Sequence, residues 1–582
     1  MGFIQPTPPP FEYDEWKRRP HLERIKVLAQ DWAINGFGTP TFVYLLYILK
    51  LIVYAGGLLL ISATTAGLGG LGNLSDWWTE PIVFQKAVIW TMLWEVLGLG
   101  AGSLPLTLRF SPMIGGVLYW LRPGTIRLPP WPERVPLTRG TRRTLFDVAL
   151  YAGLIAAALN LLISDGVDAT VATAGRLDPV AVGVLLALLV LLGLRDKVPF
   201  LAARAEIYGN LAIIFLFPLT NMVVAAQLVF VCIWWGAASS KLNRHFPFVV
   251  TVMISNTPWN RWRGAKRRLY RDHPEDLRPS SVGALAAHMG TVMEFTLPLI
   301  LLVSQGGWIG TLAVAGMVIF HLHILSTFPL AVPLEWNIFM VFGLLFLFGH
   351  YGATSWSTLD DPLLLAILAV TCIGFPVLGN FRPDLVSFLP SMRYYAGNWA
   401  TSQWLFRKDG GAEARLDAEL VKPAPIVTEQ LAKFYDPELI DVLIHKGLAF
   451  RSMHSHGRAL NGLVQRAVDD VEDYEVREGE LVAGVVLGYN FGDGHFHDQR
   501  LLAAIQERCR FEPGEVRIVV LESQPANVQR QRYRIFDAAT GLVEEGSVKV
   551  ADMVERQPWL DARPFPVETI GSAPGGRAAT PA

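Results

Sequence analysis

Charge is scarce in this chain. Only 17% of its 582 residues are Asp, Glu, Lys or Arg, against about 25% in soluble domains, and the deficit calls for an apolar solvent. Cysteine is scarcer still. Cys232, Cys372 and Cys509 are the only three, two of them in apolar runs, which excludes a disulfide framework and a cysteine-based zinc site. The formal net charge is −1, so nothing in the global electrostatics attracts nucleic acid or an acidic substrate. No basic face with interleaved aromatics supports a nucleic-acid partner either. The opening MGFIQPTPPPFEYDEWKRR has no apolar signal-peptide core, and Gly2 does not begin a myristoylation motif. There is no P-loop, dinucleotide fingerprint or internal repeat.

What is present is apolar length. Hydrophobic residues make up 52% of the chain, with 31 Phe and 18 Trp, the aromatics that line membrane interfaces. A helix crosses the hydrocarbon layer with about 20 apolar residues. Runs of that kind extend over Thr41–Ser62, Val83–Leu104, Leu145–Ser164, Pro179–Leu194, Val282–Val303, Ile309–Leu330 and Pro362–Asn380, with a shorter one at Leu334–Gly349. Tyr208–Ser240 is too long for one upright span and is interrupted by Pro218 and Asn221, so it reads as a broken or hairpin segment. Phe110–Leu121 reads as re-entrant or interfacial. Trp16–Trp32 mixes bases with Leu and Trp, which predicts a helix lying on the membrane surface.

The fold class that follows is mainly α: a polytopic transmembrane helical bundle of about nine or ten spans with a small soluble α+β C-terminal domain. The expected division is an interfacial segment over 1–40, a membrane domain over 41–400, a soluble domain over 401–570 and a disordered tail over 571–582. In the soluble part, LVAGVVLGYNF, VRIVVLES and RQRYRIFDA are predicted strands. LIDVLIHKGLAF and QRLLAAIQERCRF are predicted amphipathic helices. Lys and Arg favour the cytoplasmic side. The bases of the N-terminus, of the Arg122–Arg143 loop and of RWRGAKRRLYR (Arg261–Arg271) place the protein in the cell membrane with its N-terminus and C-terminal domain in the cytoplasm.

Ionisable groups inside apolar spans are costly and are candidates for function. Lys50 and Glu95 lie at matching depths in the first two spans, about 12–15 Å in, and are expected to form an intramembrane ion pair. The alternative is a purely structural bridge. The densest set is central: Lys241 after the small residues of GAASSKL, Glu294 in MEFTLPLILL, and His321 and His323 in FHLHILSTF. A desolvated Lys with a carboxylate and an imidazole on neighbouring spans suits acid–base chemistry. His321 and His323 point about 200° apart on a helix, so only one can face a shared site. Taken singly, Lys241 can equally snorkel at a helix end, and Glu294 can bond a neighbouring helix.

The order of those three pieces, over roughly residues 218–347, resembles the membrane domain of the vitamin K-dependent γ-carboxylase-like (HTTM, horizontally transferred transmembrane) group. The whole chain also resembles an uncharacterised family of actinobacterial transmembrane proteins. The carboxylase resemblance implies Lys241 as the base that activates a reduced quinone and aligns His321 with the family's Phe-His motif. With Glu294 these form the expected catalytic set, in an enzyme that acts on a lipid-soluble substrate such as a reduced quinone. The competing reading is a non-catalytic lipid-handling or transport-accessory protein, with membrane lipids as its partners. In the C-terminal domain, His454 and His456, and His495 and His497 beside Asp493 and Asp498, form two His-x-His pairs. On extended strands each pair faces one side and can contribute to a divalent-metal site. The alternative is a Gly-rich turn that satisfies its own backbone.

Overall fold

The computed structural model describes residues 2–7, 10–100, 115–170, 173–327, 334–420, 426–491, 496–557, 559 and 563–572. Among them six helices are long and apolar enough to cross a membrane: Thr41–Ala63, Leu145–Ile163, Leu219–Ser240, Ser281–Ser304, Gly307–Thr327 and Pro362–Phe381. Four apolar helices are shorter, Pro179–Arg195, Ala205–Ile214, Phe246–Ser255 and Leu334–His350, and Pro81–Val96 adds another buried helix. Of the Phe110–Leu121 run, only its second half is described, as the helix Gly115–Trp120. Trp120 there donates to the Leu487 carbonyl at 3.0 Å, so this helix abuts the C-terminal domain.

Local chemistry sets the helix ends. Thr144 and Asp147 form a reciprocal capping box at the start of Leu145–Ile163, and the Asp178 and Ser280 side chains cap Pro179–Arg195 and Ser281–Ser304. Such caps satisfy backbone donors that the helix leaves unpaired. Pro218 divides the long central run as its sequence predicts. It cannot donate a backbone hydrogen bond, and it stands immediately before Leu219–Ser240. The preceding half is a π-helical turn, Ala205–Gly209, followed by Asn210–Ile214.

One end of the bundle carries the C-terminal domain. The strands of its sheet are β1 Thr401–Arg407, β2 Tyr474–Glu478, β3 Val516–Leu521, β4 Arg530–Asp537, β5 Gly541–Lys549 and β6 Glu568–Ser572. They lie in the order β2–β1–β3–β4–β5–β6, with every neighbouring pair antiparallel. The predicted strands VRIVVLES and RQRYRIFDA are β3 and β4. LVAGVVLGYNF is instead the helix Gly479–Leu487. Glu478 caps its first turn and Gly488, at φ 79°, ends it in the left-handed conformation, the usual helix stop. An apolar run this short does not distinguish a buried strand from a buried helix. The strand β6 extends through Ser572, and the rest of the predicted tail lies outside the described residues.

The N-terminal segment is amphipathic, but its partner is protein. Ile25, Leu28, Ala29 and Trp32 of the helix His21–Asn35 are buried in one core with Val442 and Leu448 of Pro437–Met453. Trp16 meets His445 edge-on at 5.1 Å. A stripe of apolar residues needs a nonpolar cover, worth about 1.5–3 kcal/mol per large side chain. Here the C-terminal domain supplies it, together with Phe248 and Val252 of Phe246–Ser255.

Candidate functional site

Where the C-terminal domain meets the bundle, a cavity of about 400 Å³ lies among Leu219–Ser240, Phe246–Ser255, Ser281–Ser304, Gly307–Thr327 and Leu334–Leu344. Lys241, Glu294 and His321 all line it. The rest of the wall is largely apolar, with Met253, Met293, Phe320 and Met340 contributing. Two wall residues, Met289 and His323, are exposed on the outer face of their helices, which puts the opening on the apolar flank of the bundle. Tyr395 and Phe491 belong to the wall on the C-terminal-domain side, with their rings 5.9 Å apart.

Lys241 follows the last turn of its helix, its backbone N–H bonded to the carbonyls of Ala237 and Ala238. The small residues before it serve close packing. A Cβ on Gly236 would come within 2.8 Å of Met392, and Ser240 and Asn243 reach the carbonyls of Met392 and Ala396 at 3.4 and 3.0 Å. The ammonium Nζ sits 2.5 Å from both carboxylate oxygens of Glu294, and both side chains are nearly buried at 8% and 5% exposure. Charge-assisted contacts of this length are strong, and the pair presents one donor and one acceptor to the same apolar volume.

His321 is held from both sides. Trp234 Nε1 donates to its Nε2 at 3.1 Å, and its Nδ1 lies 3.0 Å from Asn337 Oδ1. The consistent tautomer carries its proton on Nδ1, with the Nε2 lone pair occupied by the indole. His323 lies two residues on and faces the exposed rim, as the helical offset requires. Its ring meets Trp259 at 6.1 Å.

The second buried charge set is wired differently from its sequence expectation. Lys50 pairs with Glu335 at 2.6 Å, not with Glu95. Glu95 is buried nearby with one oxygen unpartnered among the described residues. Depth counting along two helices could not reveal a third helix carrying the better-placed carboxylate. Arg204 belongs to the same neighbourhood. It bonds Glu206 at 2.7 Å, and its guanidinium lies 4.8 Å over Trp336 and 5.3 Å over Tyr394. Arg204 is itself left-handed at φ 51°, an unfavourable conformation for a residue with a side chain, and it also lines the cavity.

Residues 1–570 match the family of transmembrane proteins of unknown function designated DUF3556. The chain belongs to that family. No curated protein and no solved structure matches it.

In this DUF3556 protein, the consecutive residues Glu335, Trp336 and Asn337 reach Lys50, Arg204 and His321 respectively. Sequence reasoning passed over them, along with Arg204, Trp234 and Tyr394. The available signal was a Glu and an Asn within the otherwise apolar run Leu334–Gly349.

Among the described residues no three His, Cys, Asp or Glu side chains converge as a metal group would need, and His495 lies outside them. His454 joins the helices Pro437–Met453 and Ser455–Ala467, and His456 stands in the first turn of the second, so the strand geometry behind a chelating pair is not there. His454 Nδ1 lies 2.8 Å from the Phe450 carbonyl. His456 stacks between His245, at 5.2 Å, and Trp399, at 5.4 Å, with no described partner on either ring nitrogen. Burial, reinforced by the Arg451 charge, pushes His454 down to about 3. Burial likewise holds His456 well below the usual imidazole range, with His245 and Arg451 adding to it. His497 lies in the loop just before the helix Gln499–Cys509. Its Nδ1 lies 2.6 Å from Ser402 Oγ, and burial takes it down to about 3.

Proposed function

We propose that this protein is a membrane enzyme that acts on a lipid-soluble substrate, with Lys241 and Glu294 as its acid–base pair and His321 as a cavity-wall residue set by Trp234 and Asn337. The observation that carries this reading is convergence. Three polar side chains from three separate helices line one largely apolar cavity that opens on the flank of the bundle. A reduced quinone fits the chemistry, because once the Lys241 proton has passed to the Glu294 carboxylate the neutral amine can take the proton of the ring hydroxyl in a volume held out of water. The resemblance of the central segments to the carboxylase-like group supports the same assignment, with Lys241 as base. On this reading Pro81–Val96, the segment 197–214, Pro179–Arg195 and Leu334–His350 cross the membrane along with the six long helices, an even number that returns the chain to the side on which it starts. The Lys- and Arg-rich face, the N-terminus and the C-terminal domain lie in the cytoplasm.

One observation favours a second reading. Both ring nitrogens of His321 are engaged, and Lys241 is tightly paired. This is also how a passive cavity for a lipid would be lined, with the protein handling lipid or assisting transport. The test is to purify the full chain in detergent and identify the co-purifying lipid by mass spectrometry in the native protein and in Lys241→Ala. A quinone present in the first and lost from the second is the expected result. A lipid without a redox-active ring, retained equally by both, rejects the enzyme.

A further inference from the structure

The opening of the cavity lies beside the most basic segment of the chain. Asn256 donates to the Thr327 carbonyl at 3.2 Å, and Trp259 Nε1 donates to Ser326 Oγ at 2.9 Å. Thr327 and His323 line the cavity, so the segment that begins at Asn256 is fastened to the rim. Trp259 and Trp262 are exposed at 61% and 66%. Arg261, Arg263, Arg267 and Arg268 follow, all exposed. Arg268 covers the Trp262 ring at 6.0 Å. Among the described residues no carboxylate pairs with Arg261, Arg263 or Arg267, whereas Arg271, a few residues on, reaches Glu555 of the C-terminal domain.

The other basic loop divides its arginines, with Arg122, Arg134 and Arg139 exposed and two others drawn into the fold. Arg127 and Arg143 are buried and paired with Asp147 and Asp196 at 3.4 and 2.6 Å. They are spent on the fold, while those of the 261–268 segment are left facing outward. Exposed Trp anchors at the level of lipid headgroups, and guanidinium forks match phosphate oxygens. Each base near an anionic bilayer surface adds about 1 kcal/mol of attraction.

We propose that residues 259–268 form a headgroup site for an anionic glycerophospholipid at the cavity opening. Its phosphate is held by Arg261, Arg263 and Arg267, and its acyl chains lie along Ser281–Ser304 and Gly307–Thr327. The lipid borders the path that any cavity ligand takes. This assignment does not depend on what occupies the cavity or on whether Lys241 is a base.

The test is native mass spectrometry of the full-length protein in detergent, titrated separately with dioleoyl phosphatidylglycerol and dioleoyl phosphatidylcholine. The native protein is expected to retain one phosphatidylglycerol under conditions that strip phosphatidylcholine. The variant R261Q/R263Q/R267Q is expected to bind it at least about tenfold more weakly. The variant R122Q/R134Q/R139Q removes the same charge from exposed positions of the other basic loop and is expected to bind as the native protein does. Equal retention of the two lipids by the native protein overturns the site. So does an equal loss in both triple variants, because net charge alone would then explain the binding.

Discussion

Two buried Lys–Glu pairs stand within the helical bundle, and they are alike only at first sight. Lys50–Glu335 and Lys241–Glu294 have almost the same separation, 2.6 and 2.5 Å, and both are nearly buried. The first belongs to a set of five charged groups, with Glu95, Arg204 and Glu206 in the same neighbourhood. The second is a single pair on the wall of a cavity. A charge inside such a set is balanced by several neighbours, so removing one member unbalances the rest. A lone pair is balanced by itself alone. The first arrangement is a buried network that reaches the cavity through Arg204, whereas both members of the second line the cavity directly.

That difference fixes the largest expected effects. Glu335→Ala leaves Lys50 buried without its partner and lowers stability by about 3–5 kcal/mol, read as the midpoint of thermal unfolding in detergent. Lys241→Met alone also destabilises, because Glu294 is then buried and unpaired. The double variant Lys241→Met/Glu294→Leu recovers to within about 1 kcal/mol of the native protein or exceeds it, as matched apolar replacements of a lone buried pair do. Lys50→Met/Glu335→Leu does not recover, because Arg204, Glu206 and Glu95 remain and their balance has changed. Equal recovery of the two double variants would erase the distinction between the pairs. A Lys241→Met/Glu294→Leu protein that is stable yet still keeps its co-purifying lipid would deny the cavity pair any role in binding.

The sequence made much of this legible, and physics accounts for where it stopped. The long apolar helices, the break at Pro218 and the convergence of Lys241, Glu294 and His321 follow from patterns local to a helix. Chain order and antiparallel neighbours then bring those patterns together. The Lys50 partner was not legible, because a depth argument uses two helices and the true contact involves a third, entering through Glu335. The cover of the N-terminal helix was not legible either. An amphipathic stripe announces that it must be buried but not whether lipid or protein buries it. The His-x-His pairs misled for a related reason. His454 and His456 sit at a helix junction, where a two-residue spacing no longer places two rings on one side.

Those histidines supply the next contrast, between a polar cluster within the bundle and one within the C-terminal domain. His454 and His456 stay neutral in the fold because burial, and the nearby Arg451, oppose a second proton on either ring. Their folded-state affinity for protons is below that of the unfolded chain, which titrates near about 6.5. Stability from this source is therefore fully present above that pH. For His454 it falls as the pH drops toward about 3, at about 1.4 kcal/mol per pH unit, and for His456 it falls in the same direction. Unfolding midpoints measured between pH 7 and 4.5 check the direction. The facing groups that also act there are His245, Arg451 and Arg458, all of them cationic or able to become so, which adds to the acid sensitivity.

The smallest effect isolates one ring of that cluster. His456 is fully buried with both nitrogens unpartnered among the described residues, stacked between His245 and Trp399. An unsatisfied buried polar group costs about 1–3 kcal/mol, and a phenyl ring keeps the stacking without that penalty. His456→Phe is expected to leave the protein at pH 7.5 unchanged or more stable by about 1 kcal/mol. It also removes about one histidine's share of the loss below pH 6.5. His245→Phe is the informative counterpart, because His245 bonds Ser455 at 2.7 Å and Gln524 at 2.8 Å. Losing those bonds leaves two buried partners unsatisfied, so this variant is expected to be less stable at every pH. If His456→Phe instead destabilises at pH 7.5 as much as His245→Phe does, then His456 has a hydrogen-bonding partner in solution, and the cluster is a polar network like the one around Arg204.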